Sequence, residues 1–284
     1  MSYNFIKILD IKINIISKQE VLEEIKSLLF KPTLVEVKNK NEISAKADMN
    51  GVQLVTTNPE FILEAQKNPE FKNIINNSWL SVADGYGIRL ASKYISVISN
   101  QQSVISKFFT GFKIAWWGIS RNNKKLDIIK DIITGTDLVP DICKICEENN
   151  KKILFFGSKN SALAKEKLKI KYKNLNSASL ILEEEDLINK INNFASDVLL
   201  VALNAPFAQI WINNNFKNLP SVKLAIGVGG AFDYISGKIK RAPNKFWGYE
   251  WLFRLIKQPN RIKRVFNAIV IFPLAVFLSK INKN

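Results

Sequence analysis

The chain has 284 residues, of which 47% are apolar and 23% are charged, a composition that suits a globular cytosolic protein with one large domain, alone or with an appendage. The absence of histidine excludes His-based acid–base chemistry, Ser-His and Cys-His nucleophilic sites and most zinc sites. The formal net charge is +16, and ten of these charges lie in residues 238–284, which indicates an anionic partner (nucleic acid, a membrane surface or a phosphorylated ligand) or a solubilising surface.

The N-terminal segment predicts a small strand unit followed by a helix. Residues 7–16 alternate between apolar and polar side chains, as expected for an edge strand or hairpin, and residues 18–30 form an amphipathic helical pattern. Residues 36–50 are polar and charged, which predicts an exposed loop. Charges scattered through residues 1–20 argue against a signal peptide.

Residues 53–93 are the stretch around which the chain is organised, because they predict a strand, polar turn and helix twice in succession. The first turn contains Thr56, Thr57 and Asn58, and the second begins with Asp84. If the two strands are parallel, both turns lie at the carboxyl edge of one sheet, where open α/β sheets bind ligands. The sequence therefore predicts a crevice that one carboxylate shares with a small polar cluster.

Residues 96–127 carry five Phe and Trp side chains among scattered polar residues. One interpretation is a helical insertion packed on the core. The other is an aromatic and basic element at a membrane interface. Both interpretations remain open from the sequence.

Strand and helix patterns alternate again from residue 138 onward. Helices are predicted at 139–149, 161–173, 185–194 and 207–215, and strands at 152–156, 197–203 and 222–228. This alternation predicts an α/β fold with a Rossmann-like, mostly parallel sheet. Cys143 and Cys146 fall on the apolar face of the first of these helices and are predicted to be buried structural thiols, not a metal site.

Two glycine-containing turns follow strands of this predicted sheet. The turn that begins with Gly157 opens a helix and is of a kind that can seat a phosphate, or it is only a tight connection. Glycines at positions 227, 229 and 230 allow the backbone to approach a ligand or another strand closely.

Residues 238–284 are predicted to be a basic, amphipathic helical appendage to an α/β domain that spans residues 1–237. A short helix is expected at 247–257, and another begins at Pro259, with Arg261 and Arg264 on one face. The longest apolar stretch, residues 265–278, is too short for a spanning helix.

Seven motifs occur in order along the chain: TTNPEF, ADGYGIRLASK, ITGTDLVP, ILFFGSK, VALNAPFAQIWI, GVGGAFDYISGKIKRAP and EWLFRLIKQPNRIKR. In this order they resemble the WecG/TagA/CpsF glycosyltransferases, glycosyltransferase family 26, over roughly residues 8–265. The resemblance implies a Rossmann-like domain of the type called GT-E, a C-terminal appendage that helps the enzyme meet the membrane, and homo-oligomers.

The activity that the resemblance implies is an inverting, metal-independent transfer of a sugar, typically N-acetylmannosamine, from a UDP donor. The implied acceptor is an undecaprenyl-diphosphate-linked sugar used in wall teichoic acid, enterobacterial common antigen, capsule or exopolysaccharide synthesis. No cofactor is expected, since the UDP-sugar is a substrate. A nucleic acid partner is not expected either. The enzyme is expected in the cytoplasm, peripherally associated with the inner face of the cell membrane, where a basic appendage is attracted to anionic headgroups.

The resemblance also assigns residues to the acceptor side of the site. Asp84 matches the family's aspartate and is expected to be the base that takes a proton from the acceptor hydroxyl. Thr56 and Asn58 match positions that line the same pocket. For all three residues, capping of a helix is the alternative role.

On the donor side, Arg254, Arg261 and Arg264 match tail arginines of the family, and guanidinium groups suit the negative charge that develops on a leaving diphosphate. Solvated surface charges are the alternative. The glycines and the acid that are expected to shape the nucleotide site are Gly157, Gly229, Gly230 and Asp233.

The chain departs from the family pattern at several positions. Phe207, Ala208 and Gln209 stand where members usually have Lys-Gln-Glu, and Ile132 replaces a common Arg. These changes motivate the alternative of a catalytically silent relative that binds a lipid-linked glycan or a membrane partner. A nucleic-acid-binding protein is suggested by charge alone and has no recognisable module to support it.

Overall fold

The computed structural model of the chain describes residues 3–30, 51–99, 103–120, 122–240, 252, 255–256 and 259–281. The N-terminal strands β1 (Phe5–Ile8) and β2 (Ile11–Asn14) form an antiparallel hairpin, and helix α1 (Lys18–Phe30) follows. Of the edge strand or hairpin expected here, the structure has the hairpin, and the predicted helix is confirmed. The loop predicted at 36–50 lies outside the described residues.

The centre of the molecule is a six-stranded sheet in which every pair of neighbouring strands is parallel. Its strands are β3 (Val52–Thr57), β4 (Leu80–Ala83), β5 (Ile153–Gly157), β6 (Ser177–Ile181), β7 (Val198–Val201) and β8 (Leu224–Gly227). Across the sheet the order is β4-β3-β8-β7-β5-β6. The predicted α/β fold with a Rossmann-like, mostly parallel sheet is confirmed.

The remaining helices connect these strands or follow the last of them. They are α2 (Pro59–Ala65), α3 (Pro69–Asn77), α4 (Tyr86–Ile98), α5 (Val104–Ile119), α6 (Gly135–Glu148), α7 (Ser161–Lys171), α8 (Leu187–Phe194), α9 (Phe207–Asn215), α10 (Ala231–Ile235) and α11 (Ile262–Ile281).

Buried side chains cover both faces of the sheet. On one face, Leu54, Val82 and Ile226 pack with apolar residues of α1, α6, α7 and α10. The other face has two clusters, one under α8 and α9 and one formed by the hairpin with α2, α3, α4, α5 and α11. Cys143 and Cys146 are buried free thiols of α6, as predicted.

Two elements differ from the prediction. The single helix expected after β3 is two helices, because the Asn68 side chain accepts a hydrogen bond from the backbone N–H of Phe71 at 3.0 Å and Pro69 starts the new helix. Strand β6 was not predicted. It is an edge strand whose sequence, SASLI, is half-buried throughout, so it lacks the apolar pattern of the central strands.

The aromatic segment at 96–127 contains helix α5, which packs against α4 and α11. Of the helix predicted at 247–257, only residues 252, 255 and 256 are described, and they are helical.

The prediction that no helix reaches spanning length was wrong. In the described part of the chain, one helix, α11, is long and apolar enough to cross a membrane, with 20 residues and a mean hydropathy of 1.7. The helix continues through Pro273, although proline cannot donate a backbone hydrogen bond. A wider, π-helical turn over Asn267–Ile271 precedes this residue.

The boundary between two domains at residue 237 stays a prediction.

Candidate active site

Three neighbouring strands bring the predicted crevice residues to one edge of the sheet. In the order β4-β3-β8, Asp84 follows β4, Asn58 follows β3, and Gly229 lies just beyond β8. The register pairs Thr57 with Ala83, and the backbone N–H of Asp84 donates to the Thr57 carbonyl at 2.8 Å. The common edge predicted for the two turns is therefore confirmed, and the chemical roles of the residues stay predictions.

Thr56 is placed on the same face of the sheet as Asp84. It pairs with Val82, and alternation along the strand puts Asp84, two positions later and still bonded to β3, on that side. Thr56 is only 5% exposed. Its neighbour Thr57 faces the other way, where its hydroxyl lies 2.8 Å from that of Ser81 in a hydrogen bond.

The two turns begin their helices differently. The Asn58 side chain accepts a hydrogen bond from the backbone N–H of Phe61 at 3.0 Å, so this residue caps α2. In the second turn the cap position of α4 is occupied by Gly85, with φ 102°, and not by Asp84. This positive φ favours glycine, and the sharp turn leaves Asp84 half-buried at the end of its strand.

A contact between two side chains joins the turn after β5 to helix α10, which follows β8 and holds the predicted residue Asp233. The Asn160 side-chain amide donates to the Asp233 carboxylate at 2.5 Å, which bridges the ends of two strands separated by β7. Gly229 has φ 49°, and a Cβ added to it would meet no atom within 4 Å. The backbone at Gly229 is therefore open to close approach, and Gly230 follows it as the cap residue of α10.

Close packing explains why residue 157 is a glycine. Its φ is 105°, and an added Cβ would lie 2.8 Å from a methyl carbon of Leu203. The tight connection considered from the sequence therefore accounts for this glycine, and a role in diphosphate binding stays a prediction.

The tail arginines fall partly within the described structure. The Arg264 Nε donates to both carboxylate oxygens of Glu60 at 2.9 Å, and its Nη2 makes a further contact with the same carboxylate. This hydrogen bonding raises the pKa of Arg264, so its guanidinium group stays charged. Arg261 lies half-buried at the start of α11, and Arg254 lies outside the described residues.

Helix α11 reaches the same edge of the sheet through Gly87. A Cβ added to Gly87 would lie 2.9 Å from the Pro59 ring and 3.8 Å from the Phe272 ring. Phe272 is itself 1% exposed. The absence of a side chain at Gly87 thus allows α2, α4 and α11 to meet beside the turn that holds Asp84.

Sequence reasoning did not select three residues near this edge: Glu60, Thr134 and Asp137. The Ile133 N–H donates to the carbonyl of Ala83 at 2.8 Å, which brings the start of α6 to the end of β4. The Thr134 hydroxyl then donates to the Asp137 carboxylate at 2.8 Å. The T-G-x-D spacing, which is typical of a capped helix start, was the signal available for this pair.

The changed positions after β7 lie at the start of α9. Phe207 is half exposed, whereas Ala208 and Gln209 are almost completely buried. Within the described ranges, His, Cys, Asp and Glu side chains form no group of three or more that could hold a metal ion. Metal independence stays a prediction.

Comparisons with known proteins agree with the resemblance of the motifs. The sequence model described as "Glycosyl transferase WecG/TagA/CpsF family" matches residues 6–111 and 111–284. The chain is 25% identical over 223 residues to an N-acetylglucosaminyldiphosphoundecaprenol N-acetyl-beta-D-mannosaminyltransferase of Bacillus spizizenii, which covers 76% of this chain and 75% of the relative.

Proteins with the same name in two other organisms are similar to the chain over a larger part of its length. The one from Staphylococcus aureus strain MRSA252 is 26% identical over 255 residues, covering 87% of this chain and 86% of the relative. The one from Bacillus subtilis strain 168 is 26% identical over 243 residues, covering 82% of each. The chain therefore belongs to the WecG/TagA/CpsF family of glycosyltransferases.

Proposed function

We propose that this glycosyltransferase moves N-acetylmannosamine from a UDP donor to an undecaprenyl-diphosphate-linked N-acetylglucosamine, by a metal-independent reaction that inverts the anomeric centre. The names of the relatives support the transferred sugar and the acceptor. The product would serve the synthesis of a teichoic acid or another cell-envelope polysaccharide.

The observation that carries the proposal is the position of Asp84 at the carboxyl edge, between the polar turn after β3 and the start of α6. In the proposed reaction, the Asp84 carboxylate takes the proton from the acceptor hydroxyl as that oxygen attacks the anomeric carbon. The bond from this carbon to the diphosphate oxygen breaks, and UDP leaves with the electron pair.

The leaving diphosphate needs positive charge or hydrogen-bond donors. Arg264 is held at this edge by Glu60, and Arg261 is one helical turn away from it. Fixed guanidinium groups and backbone N–H groups near Gly229 would stabilise the charge that develops on UDP without a metal ion. Arg254 is proposed for the same task from its motif.

The proposal also places the enzyme on the cytoplasmic face of the membrane, bound peripherally. The acceptor named for the relatives is lipid-linked, and α11 is a long apolar helix with one face packed on the protein. The positive charges of residues 238–284 would add about 1 kcal/mol of attraction for each Lys or Arg near an anionic surface.

The central experiment measures UDP release by the full chain with UDP-N-acetylmannosamine and a short-chain polyprenyl-diphosphate N-acetylglucosamine acceptor. Asp84→Asn should lower the rate by about 100-fold or more and leave UDP binding unchanged. Asp10→Asn, in the exposed turn of the hairpin, is the matched control and should keep the full rate. An unchanged rate for Asp84→Asn would remove this residue as the base.

Two further measurements test the donor and the metal independence of the reaction. A screen of UDP-sugars tests the donor, and a chain that binds none of them would favour the catalytically silent relative. Addition of a chelator such as EDTA should leave the rate unchanged. A rate lost with the chelator and restored by Mg²⁺ would contradict metal independence.

A further inference from the structure

Helix α5 has a row, or stripe, of exposed apolar side chains on the side that faces away from the protein. The stripe residues recur at intervals of four and three, which places them on one face of the helix, and each of them is between 61% and 69% exposed. They are Ile105, Phe109, Phe112, Trp116 and Ile119.

The opposite face of α5 packs on the protein. Lys107 and Ile114 are buried, Gly111 faces Tyr94 of α4, and Gly118 gives room to Leu90 of the same helix. The orientation of α5 is therefore fixed by its inner face, and the side chains of the outward stripe are left largely exposed.

The stripe continues onto α11. The rings of Phe108 and Phe277 lie 6.1 Å apart, and the buried Lys107 amine donates to the backbone carbonyl of Lys280 at 2.8 Å. The outward side of α11 is apolar as well, and its exposed residues are Ile262, Phe266, Ile269, Val270, Ile271, Leu274 and Leu278. The two helices thus present one joined surface, here called the α5–α11 surface.

The segments that contain α5 and α11 carry Lys and Arg but no Asp or Glu, which favours an anionic occupant. The chain has no Asp or Glu between Asp84 and Asp127 and none after Glu250. Lys113 and Lys125 lie over the ring of Trp117, at 5.3 and 5.1 Å from its centre. Aromatic rings combined with long basic side chains are typical of a membrane interface, where the cations reach the headgroups.

We propose that α5 is a second membrane-binding element, and that the α5–α11 surface lies in the headgroup region of an anionic bilayer with its apolar stripe among the acyl chains. Helix α11 does not need to leave the protein for this, since Phe272 and Val276 stay in the core while the outer side meets lipid. The inference rests on the proposed function only in that a lipid-linked acceptor brings the enzyme to the membrane.

The location of this surface agrees with that task. Phe272 packs against Gly87 at the start of α4, three residues after Asp84. A bilayer in contact with α11 therefore lies next to the edge of the sheet where the acceptor sugar would react.

The test measures the partition of the full chain onto phosphatidylcholine vesicles with and without phosphatidylglycerol, in the absence of donor and acceptor. The variant combines Phe109→Ser, Phe112→Ser and Trp116→Ser. The matched control combines Leu163→Ser and Ile170→Ser, which are exposed apolar residues of α7. The α5 variant should bind anionic vesicles more than about tenfold more weakly than the control, and the unaltered chain should prefer anionic to neutral vesicles.

A fluorophore provides a second readout that does not depend on the triple variant. Phe109→Cys and Leu163→Cys are each labelled with an environment-sensitive dye, which is selective because the two native cysteines are buried. Anionic vesicles should shift the emission of the label at 109 to shorter wavelength and leave that at 163 unchanged. Equal vesicle binding by both serine variants, or no shift at 109, would overturn the proposal.

A second copy of the chain is the competing occupant. If the serine variant of α5 converts an oligomer to a monomer and leaves vesicle binding unchanged, the surface is a subunit interface and the proposal fails. Vesicle binding is measured without donor or acceptor, whereas the proposed transfer reaction is measured by UDP release. A failure of the membrane proposal can therefore be distinguished from a failure of the proposed function.

Discussion

Arg264 and Glu60 are 204 positions apart in the chain, and their forked ion pair ties α11 to the first turn of α2. The Arg264 side chain is 52% exposed and that of Glu60 is 24% exposed. Solvent screening therefore limits the contribution of the pair to stability to about 1 kcal/mol or less. Glu60 lies two residues after Asn58, so the ion pair lies beside the predicted crevice.

Glu60→Gln and Arg264→Lys should each lower the rate of UDP release about tenfold, because either change breaks the forked ion pair. Gln offers only one acceptor oxygen to the guanidinium group, and Lys lacks the planar fork that contacts both oxygens of Glu60. Urea unfolding should change by less than about 1 kcal/mol in both variants. The double variant should be no slower than the slower single variant, since both changes remove one interaction. If the rate reductions of the two single variants multiply in the double variant, the two residues act separately.

Gly87→Ala should lower the free energy of unfolding by about 1–3 kcal/mol, because the added methyl group would have to displace the Pro59 ring. Gly111→Ala is a matched control inside another helix, where the new Cβ would make an ordinary 3.7 Å contact with Tyr94. This control should keep or slightly raise stability. Equal losses in the two variants, measured by urea unfolding, would show that the contact at Gly87 is not tight.

Gly229→Ala tests whether a ligand approaches the backbone after β8. Its φ of 49° should make alanine cost about 1–2 kcal/mol of stability, and Gly237→Ala, at φ 82°, should cost a similar amount. Only the change at Gly229 should weaken UDP binding, by more than about tenfold, because the new methyl group would occupy space beside the donor. Calorimetric titration measures UDP binding by both variants. If they bind UDP equally well, the role proposed for Gly229 is contradicted.

The thiols of α6 should be inert in the folded protein. Burial raises the pKa of both cysteines, that of Cys146 to about 12, so neither forms the reactive thiolate near neutral pH. A disulfide reagent such as DTNB should therefore label neither thiol at pH 8 in buffer and both in urea. Rapid labelling of the native chain would contradict their structural role.

Glu20 should make stability depend on pH in the acid range. The backbone N–H and the hydroxyl of Ser17, with help from Lys130, lower the pKa of Glu20 from 4.5 to about 2. Since the folded pKa is depressed, the stabilisation is fully present above about pH 4.5 and is lost as the pH falls towards 2. The difference in unfolding free energy between the unaltered chain and Glu20→Gln should shrink over that range, and a constant difference would contradict the assignment.

The crevice edge could be predicted because its residues are local to strand ends. Asp84 and Asn58 directly follow apolar strands, and Gly229 lies two residues after the end of β8; parallel pairing then brings them to one edge. The start of α3 could also have been predicted, since Asn68 and Pro69 form a standard helix start.

Other features depend on contacts that no local pattern contains. The pairing of Glu60 with Arg264 needs the final position of α11, and a half-buried edge strand such as Ser177–Ile181 gives only a weak pattern. The sequence left open whether α5 packs on the core or meets a membrane. The buried and the exposed side of α5 can be distinguished only when the positions of α4 and α11, which pack against it, are known.

The two-sided character of α11 would link the proposed membrane binding to folding. Phe272 and Val276 complete the core around Ile88, and the Phe277 ring lies beside Tyr94, so removing the helix to gain solubility would uncover the apolar side of α4. Conversely, lipid that binds the outer side of a docked α11 favours the folded chain by mass action. Thermal unfolding in the presence of anionic vesicles would then occur at a higher temperature, and the enzyme would be most durable at the membrane surface proposed for it.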